Sequence, residues 1–291
     1  YGNKIYAISN GTEALHTFTF DHGTWSETSV VPLGMGDIYG IGVKGDGTEA
    51  QYFWITSIAG KVSFWALHPF EGTPKDLGDA DNWKNGYPVY TKAVVTAHAP
   101  SQGFWVENQS RTAGAFVAYQ GALPGIGKFV TIKAGAGKND AGERVLTPIA
   151  AADAVVEGET ADPGVEPLIM TGKSLGSSAT GIGVATDGML VKITGKVTGH
   201  TIGTEFPGAI YLDDGSTLQS GQADPAIGVK ISKLDGLELY DDSDPVENIY
   251  AVASETCFAT VTGIVRIRKV GDIYVREIQV RSGADIKITV Q

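Results

Sequence analysis

An all-β fold is predicted by three features of this 291-residue chain. Glycine supplies 39 residues, about 13% of the total and roughly twice the usual share, which demands many turns. Few windows of a dozen residues avoid glycine, proline or a β-branched run, so helical periodicity is almost absent. Alternating apolar and polar stretches recur throughout instead, with the period of half-buried strands. A hydrophobic share of 42% and a charged share of 19% suit a folded chain, and the length allows two or three domains. Lys plus Arg number 22 against 33 for Asp plus Glu, a net charge of −11. The one cysteine, Cys257, excludes intramolecular disulfides and zinc knuckles. No apolar run approaches the roughly 18 residues of a membrane span, and Tyr1 in place of Met reads as a mature or trimmed chain.

Of the 26 aromatic residues, 17 lie within positions 1 to 105, including all five tryptophans, and a domain change is expected near Tyr87. Residues 1 to 87 read as an aromatic-rich antiparallel β-domain of hairpins. Strands are expected at 4 to 9, 15 to 20 and 25 to 31, the last two joined by a turn at Asp21-His22-Gly23. A second set runs 38 to 43, 52 to 58 and 61 to 67. The rhythm resembles one partial β-propeller blade followed by most of another, too few to close a propeller of about four or more blades. The strand edges therefore need cover from another domain or another copy.

The remainder contains a repeat of five strands. In the first copy they are 93 to 99, 103 to 108, 114 to 119, 128 to 134 and 143 to 155. In the second they are 190 to 197, 208 to 214, 228 to 232, 258 to 267 and 273 to 285. Glycine opens strands two and three in both, and an Ala-Asp pair closes both, at Ala152-Asp153 and Ala284-Asp285. Five such strands fit a small Greek-key barrel, with glycines in the long strands supplying its bends. Asp244-Pro245-Val246-Glu247 is a helix-start signal between strands three and four of the second copy, where an OB-fold carries its helix. The first copy has only Gly121-Ala122-Leu123-Pro124-Gly125 there, so its barrel would be plugged differently or stay open. The expected layout is a first OB-like five-stranded barrel at 88–157, a connector at 158–187 and a second OB-like barrel at 188–291.

The segments FWVENQSRTAGAFV, GKFVTIKAGAGKNDAGERVL, PLIMTGKSLG and MLVKITGKVTGHTIGTEFPGAIYLDDGS resemble the tandem OB-like modules of secreted and surface-attached bacterial multidomain proteins. The resemblance covers about residues 88 to 291. It implies a barrel fold and an extracellular or cell-surface location, and it brings no defined catalytic set.

Motifs that carry chemistry are incomplete. Gly40-Ile41-Gly42-Val43-Lys44-Gly45 satisfies G-x-G-x-x-G, but a strand follows where a dinucleotide site needs a helix N-terminus. The stretch from Pro167 to Ser174 ends like a phosphate loop yet has Pro where the first Gly belongs, and reads as connector. Three acidic clusters are candidate calcium ligands: Asp79 with Asp81, Asp213 with Asp214, and Asp241 with Asp242. None has the twelve-residue loop spacing, and a solvated acidic loop is the competing reading. The five histidines are scattered, and Cys257 suits a small buried apolar position better than a nucleophile. Asn10 and Asn108 open glycosylation sequons. Trp54, Trp65, Trp83 and Trp105 are candidates for stacking on a carbohydrate or another polymer, against the alternative that they form core.

The last 34 residues are locally basic, with Arg266, Arg268, Lys269, Arg276, Arg281 and Lys287. A chain of net −11 repels phosphate, so this strip is expected to pair with the acidic stretch 235–247 or a neighbouring subunit, and nucleic acid is not an expected partner. The leading expectation is a non-catalytic extracellular structural or surface-assembly protein, self-associating through strand edges into a filament or surface layer. The alternatives are a carbohydrate- or polymer-binding module of a secreted protein or hydrolase and, behind it, single-stranded nucleic-acid binding.

Overall fold

A computed structural model describes residues 4–9, 14–32, 38–45, 50–57, 62–66, 74–78, 88–140, 142–149, 151–177, 180–201, 209–223, 226–233, 257–271 and 273–290. The chain is nearly all β and forms two compact units, one of residues 1–73 and 86–88, the other of 74–85 and 89–291. The first unit holds two antiparallel three-stranded meanders. Strands β1 (Lys4–Ser9), β2 (Ala14–Asp21) and β3 (Thr24–Pro32) form one, with Asp21 paired to Thr24 across the expected turn, where His22 and Gly23 both take positive φ. Strands β4 (Ile38–Gly45), β5 (Ala50–Ser57) and β6 (Val62–Ala66) form the other, so the G-x-G-x-x-G segment lies in a strand that leads to a strand.

The second unit contains the repeat. Its first copy comprises β7 (Lys75–Asp76), β8 (Pro88–Ala99), β9 (Gly103–Glu107), β10 (Gly114–Ala118), β11 (Lys128–Lys138), β12 (Arg144–Pro148) and β13 (Val155–Thr160). The order is β13-β11-β12-β10-β9-β8-β7, and β11 also pairs with β8, bending the sheet back on itself. In the second copy β14 (Leu168–Ile169) comes first, and then a small parallel pair of β15 (Leu175–Gly176) and β16 (Val184–Ala185). After these come β17 (Leu190–Thr201), β18 (Ala209–Asp213), β19 (Val229–Lys233), β20 (Cys257–Val270), β21 (Ile273–Val280) and β22 (Ile286–Val290). The ring β17-β18-β19-β21-β20 closes through seven paired positions from Leu190↔Ile264 to Lys196↔Phe258. In both copies the third and fifth strands run parallel, while β8–β9, β9–β10, β11–β12, β17–β18, β18–β19, β17–β20 and β20–β21 pair antiparallel, a pattern consistent with an OB-type barrel.

The repeat is longer than five strands. In each copy a short strand pairs parallel to the first barrel strand, β7 on β8 and β14 on β17. In each copy a further strand pairs antiparallel to the fourth, β13 on β11 and β22 on β20. The two Ala-Asp pairs sit in the turns that lead into these last strands, with Asp153 paired to Lys133 at 2.5 Å and Asp285 to Arg281 at 2.8 Å. The stretch 158–187 is thus built into the sheets, and its Leu168, Leu175 and Ile182 pack on the second core.

Each barrel has its own core. The second is lined by Val191, Ile193, Leu212, Val261, Val265 and Ile278, and it includes Cys257, fully buried as a small apolar residue. The first is lined by Val95, Phe104, Val106, Val117, Ile132 and Leu146. Leu123, from the loop that stands where an OB-fold carries its helix, packs against this first core. The segment 234–256, with the helix-start signal of the second copy, lies outside the described residues. Gly103 opens β9 at φ +143°, where a Cβ would stand 1.9 Å from the Val117 carbonyl oxygen, so only glycine lets β9 and β10 approach this closely. No helix among the described residues is long and apolar enough to cross a membrane.

Candidate functional site

A dense polar cluster lies where the two barrels meet. An Asn139 turn carries Glu143 to the start of β12. Asn139 Oδ1 accepts from the Glu143 amide at 2.9 Å, and Gly142, at φ +82°, donates to the Asn139 carbonyl at 2.8 Å. The Glu143 carboxylate then crosses to the second barrel. It accepts from Arg266 Nε at 2.7 Å, Arg266 Nη2 at 2.8 Å and the Ile267 amide at 2.9 Å, while Asn139 Nδ2 donates from its own turn. This is a bidentate guanidinium–carboxylate pair, the strongest geometry available to two side chains. Arg266 also donates to Gln279 Oε1 at 2.9 Å, and its guanidinium lies 4.9 Å from the centre of the Trp105 ring.

Apolar groups complete the contact. Ala97, Trp105, Leu190 and Ile264 form one buried cluster drawn from both barrels, with Phe116 packed 4.9 Å from Trp105. The turn entering β17 lies directly on β10: a Cβ on Gly114 would be 2.4 Å from the Gly188 carbonyl carbon, and Gly188 takes φ +80°. Glu107 closes β9 and accepts from the Leu190 amide at 2.8 Å, and Arg281 donates to the Thr96 carbonyl at 3.1 Å.

Burial shapes the electrostatics of this junction. Glu107 is 0% exposed, and loss of hydration pushes its carboxyl up to about 7, against the opposing Leu190 hydrogen bond and the Arg111 charge 4.0 Å away. Asp187, three residues before Leu190, is also buried and raised, by the same desolvation. The Arg144 charge and nearby backbone amides pull it the other way. A cavity of about 50 Å³ lies beside the pair, lined by Trp105, Phe116, Arg144, Glu143, Arg266 and Gln279 among others. That is far below the roughly 300 Å³ at which small-molecule sites begin, so a sugar or nucleotide has no room there.

The sequence-derived candidates are distributed elsewhere. Asp213 ends β18, Asp214 follows it, and both carboxylates are occupied by neighbouring amides and the Ser216 hydroxyl. Asp213 Oδ1 accepts from the amides of Gly215 at 3.0 Å and Thr217 at 3.1 Å. Asp214 accepts from the Gly172 amide at 2.6 Å and from Ser216, tying the 3₁₀ turn Gly172–Ser174 to this loop. Burial alone would raise Asp214, but the Ser216 and Gly172 hydrogen bonds outweigh it and hold the carboxyl low. Trp105 is 2% exposed beneath Arg266, so it serves as core at the barrel junction and presents no face to a polymer. Asn108 is buried too, with Nδ2 donating to Asp76 at 2.5 Å, Ser110 at 2.7 Å and Thr112 at 2.8 Å, an environment without space for a glycan. Trp54 and Trp65 belong to β5 and β6. Asp79, Asp81, Trp83, Asp241, Asp242 and Asn10 lie outside the described residues. Among the described residues no three His, Cys, Asp or Glu side chains converge as a metal site would require.

Several residues of the basic strip have partners among the described residues. Arg266 pairs with Glu143 of the first barrel, Arg268 with Glu277 at 2.6 Å, and Arg281 with Asp285, while Arg276 donates to the Leu175 carbonyl at 2.7 Å. The stretch 235–247, the expected partner, lies outside the described residues. Glu143, Arg144 and Asp187 went unnoticed in the sequence because no short-range spacing links Glu143 to Arg266, 123 positions on, or Arg144 to Asp187. No protein-family model matches the chain, and no curated protein matches it at significant similarity.

Proposed function

We propose that the chain is a non-catalytic structural protein of a cell surface or extracellular layer that associates with copies of itself through open strand edges. One observation carries this reading. Of the eleven large hydrophobic side chains exposed among the described residues, seven lie on strands that end their sheets. They are Ile5 on β1, Trp25 and Val30 on β3, Ile41 on β4, Val156 on β13, Ile169 on β14 and Val184 on β16. Soluble β-proteins ordinarily blunt such edges with charge, proline or bulges, because an open row of amides and carbonyls pairs with other chains. Ile169, at 85% exposure on a two-residue strand, is the extreme case. The junction also suits a structural role, since a bidentate ion pair and a shared apolar cluster join the barrels. The resemblance of residues 88 to 291 to secreted modules supports the location.

Size-exclusion chromatography with light scattering and negative-stain imaging of the full chain test the reading. Concentration-dependent oligomers that dissolve in an Ile169→Lys, Val156→Lys variant are expected, and a monomer at high concentration refutes it. A polymer-binding role is the second reading, favoured by Phe20 and Trp25, exposed ring against ring at 5.1 Å across β2 and β3. A glycan array with Trp25→Ala as control discriminates, and binding unaffected by that change removes this pair from consideration.

A further inference from the structure

Two carboxyl groups at the barrel junction are buried without the hydrogen bonds a charged carboxylate needs. Glu107 Oε2 accepts from the Leu190 amide, but Oε1 has no hydrogen-bond partner among the described residues. Its nearest cation, Arg111 from the loop after β9, stands 4.0 Å away. Asp187 is 1% exposed, and neither of its oxygens reaches full hydrogen-bond geometry among the described residues, although the Arg144 and Asp187 backbone amides lie close enough to oppose the rise in its pKa. It faces Arg144 at the start of β12, with the negative Glu143 beside it. Of the other cations at the junction, Arg266 of β20 is engaged bidentately by Glu143, and Arg281 by Asp285. Both groups act on one short stretch: Asp187 begins it, Gly188 rests on β10, and Leu190 ends it on Glu107.

We propose that this junction is a proton-operated latch, in which uncharged Glu107 and Asp187 seat the 187–190 stretch of the second barrel on the first and their ionisation loosens it. A buried neutral carboxyl costs little, whereas a buried anion without a full set of donors costs several times more. The Arg111 charge, 4.0 Å from Glu107, and the Arg144 charge near Asp187 offset part of that cost. The raised Glu107 pKa agrees with this geometry, since burial is its largest cause. The latch is closed below neutrality and loosens as pH rises through about 7. It goes beyond self-association and does not depend on it.

Hydrogen–deuterium exchange of the full chain, read as protection factors for peptides covering 103–108 and 186–191, tests the latch at pH 5.5 and 8.5. With a carboxyl at about 7 when closed and 4.5 when open, linkage predicts opening about thirtyfold more frequent at the higher pH. In Glu107→Gln and in Asp187→Asn the step is expected to shrink, and in the double variant to vanish, while peptides from the second barrel core such as 258–263 stay unchanged. Repeating the measurement at two protein concentrations separates it from self-association. Protection at 186–191 that agrees within twofold at the two pH values in the unmodified chain overturns the proposal, whatever the variants do. A pH step that keeps its full size in both single variants, or that persists in the double variant, does the same.

Discussion

Glu143→Ala removes the carboxylate that joins the barrels. The side chain is 1% exposed and accepts four hydrogen bonds, two from the Arg266 guanidinium, one from the Ile267 amide and one from Asn139. Breaking a buried pair by deleting one partner costs about 3–5 kcal/mol, because the other charge is left buried and uncompensated. Arg266 keeps its bond to Gln279 at 2.9 Å and about a fifth of its side chain is exposed, which places the expected loss near the lower end, about 3 kcal/mol. Urea unfolding followed by tryptophan fluorescence reads the loss directly, and Trp105 beneath Arg266 lies at the affected contact. Replacing both partners, Glu143→Leu with Arg266→Met, is expected to recover most of it, since an apolar pair of similar volume avoids desolvating two charges. A loss under about 1 kcal/mol in Glu143→Ala, or a double variant as unstable as the single one, would refute the reasoning.

Three further outcomes are expected. Glu107 has its folded pKa raised above the unfolded value, so its contribution to stability is fully present below about 4.5 and declines as pH rises to about 7. That decline amounts to about 3 kcal/mol, which Glu107→Gln should flatten in a series of urea titrations across this range. Asp214 is held low, so its contribution is present above the ordinary carboxylate range and lost on acidification; Asp214→Ala should cost about 1–2 kcal/mol at neutral pH and less in acid, measured by thermal melts. Gly103→Ala should cost about 3 kcal/mol or more or prevent folding, because a Cβ meets the Val117 carbonyl oxygen at 1.9 Å. Gly127→Ala, at φ +80° in open space, should cost only about 1–2 kcal/mol, and equal losses at the two sites would contradict the close-approach argument.

Much of the fold was legible because strands write their period into neighbouring residues. The segments AVVTAHA, GFWVEN and GAFVAY each became strands within a few residues of their expected bounds, as did KITGKV and ATVTGIVRI, since alternation and glycine punctuation are local signals. Gly103 and Gly228, read as strand openers, both take positive φ where neighbouring strands press close. The flanking strands were less visible: β7 and β14 are two residues long, too short for any period, and they exist only because a parallel neighbour accepts them. The closing segment of the first copy, read as one strand from 143 to 155, divides at the Ala152-Asp153 turn into β12 and β13.

The candidate site was less legible than the fold. Trp105 looked like a binding aromatic because a sequence reports that a ring is present and not which side of a sheet it covers. Asn108 matched a sequon, but its amide is consumed by Asp76, Ser110 and Thr112. Composition and alternation alone determined that this chain is an all-β protein, and the repeat order of its strands pointed to small ringed sheets. Only the tertiary structure decided that the barrels are joined, because Glu143 meets Arg266 across 123 positions and Glu107 meets Leu190 across 83. Such contacts are set by how two closed sheets come together in space, and their energy comes from desolvation and charge pairing that no local pattern encodes.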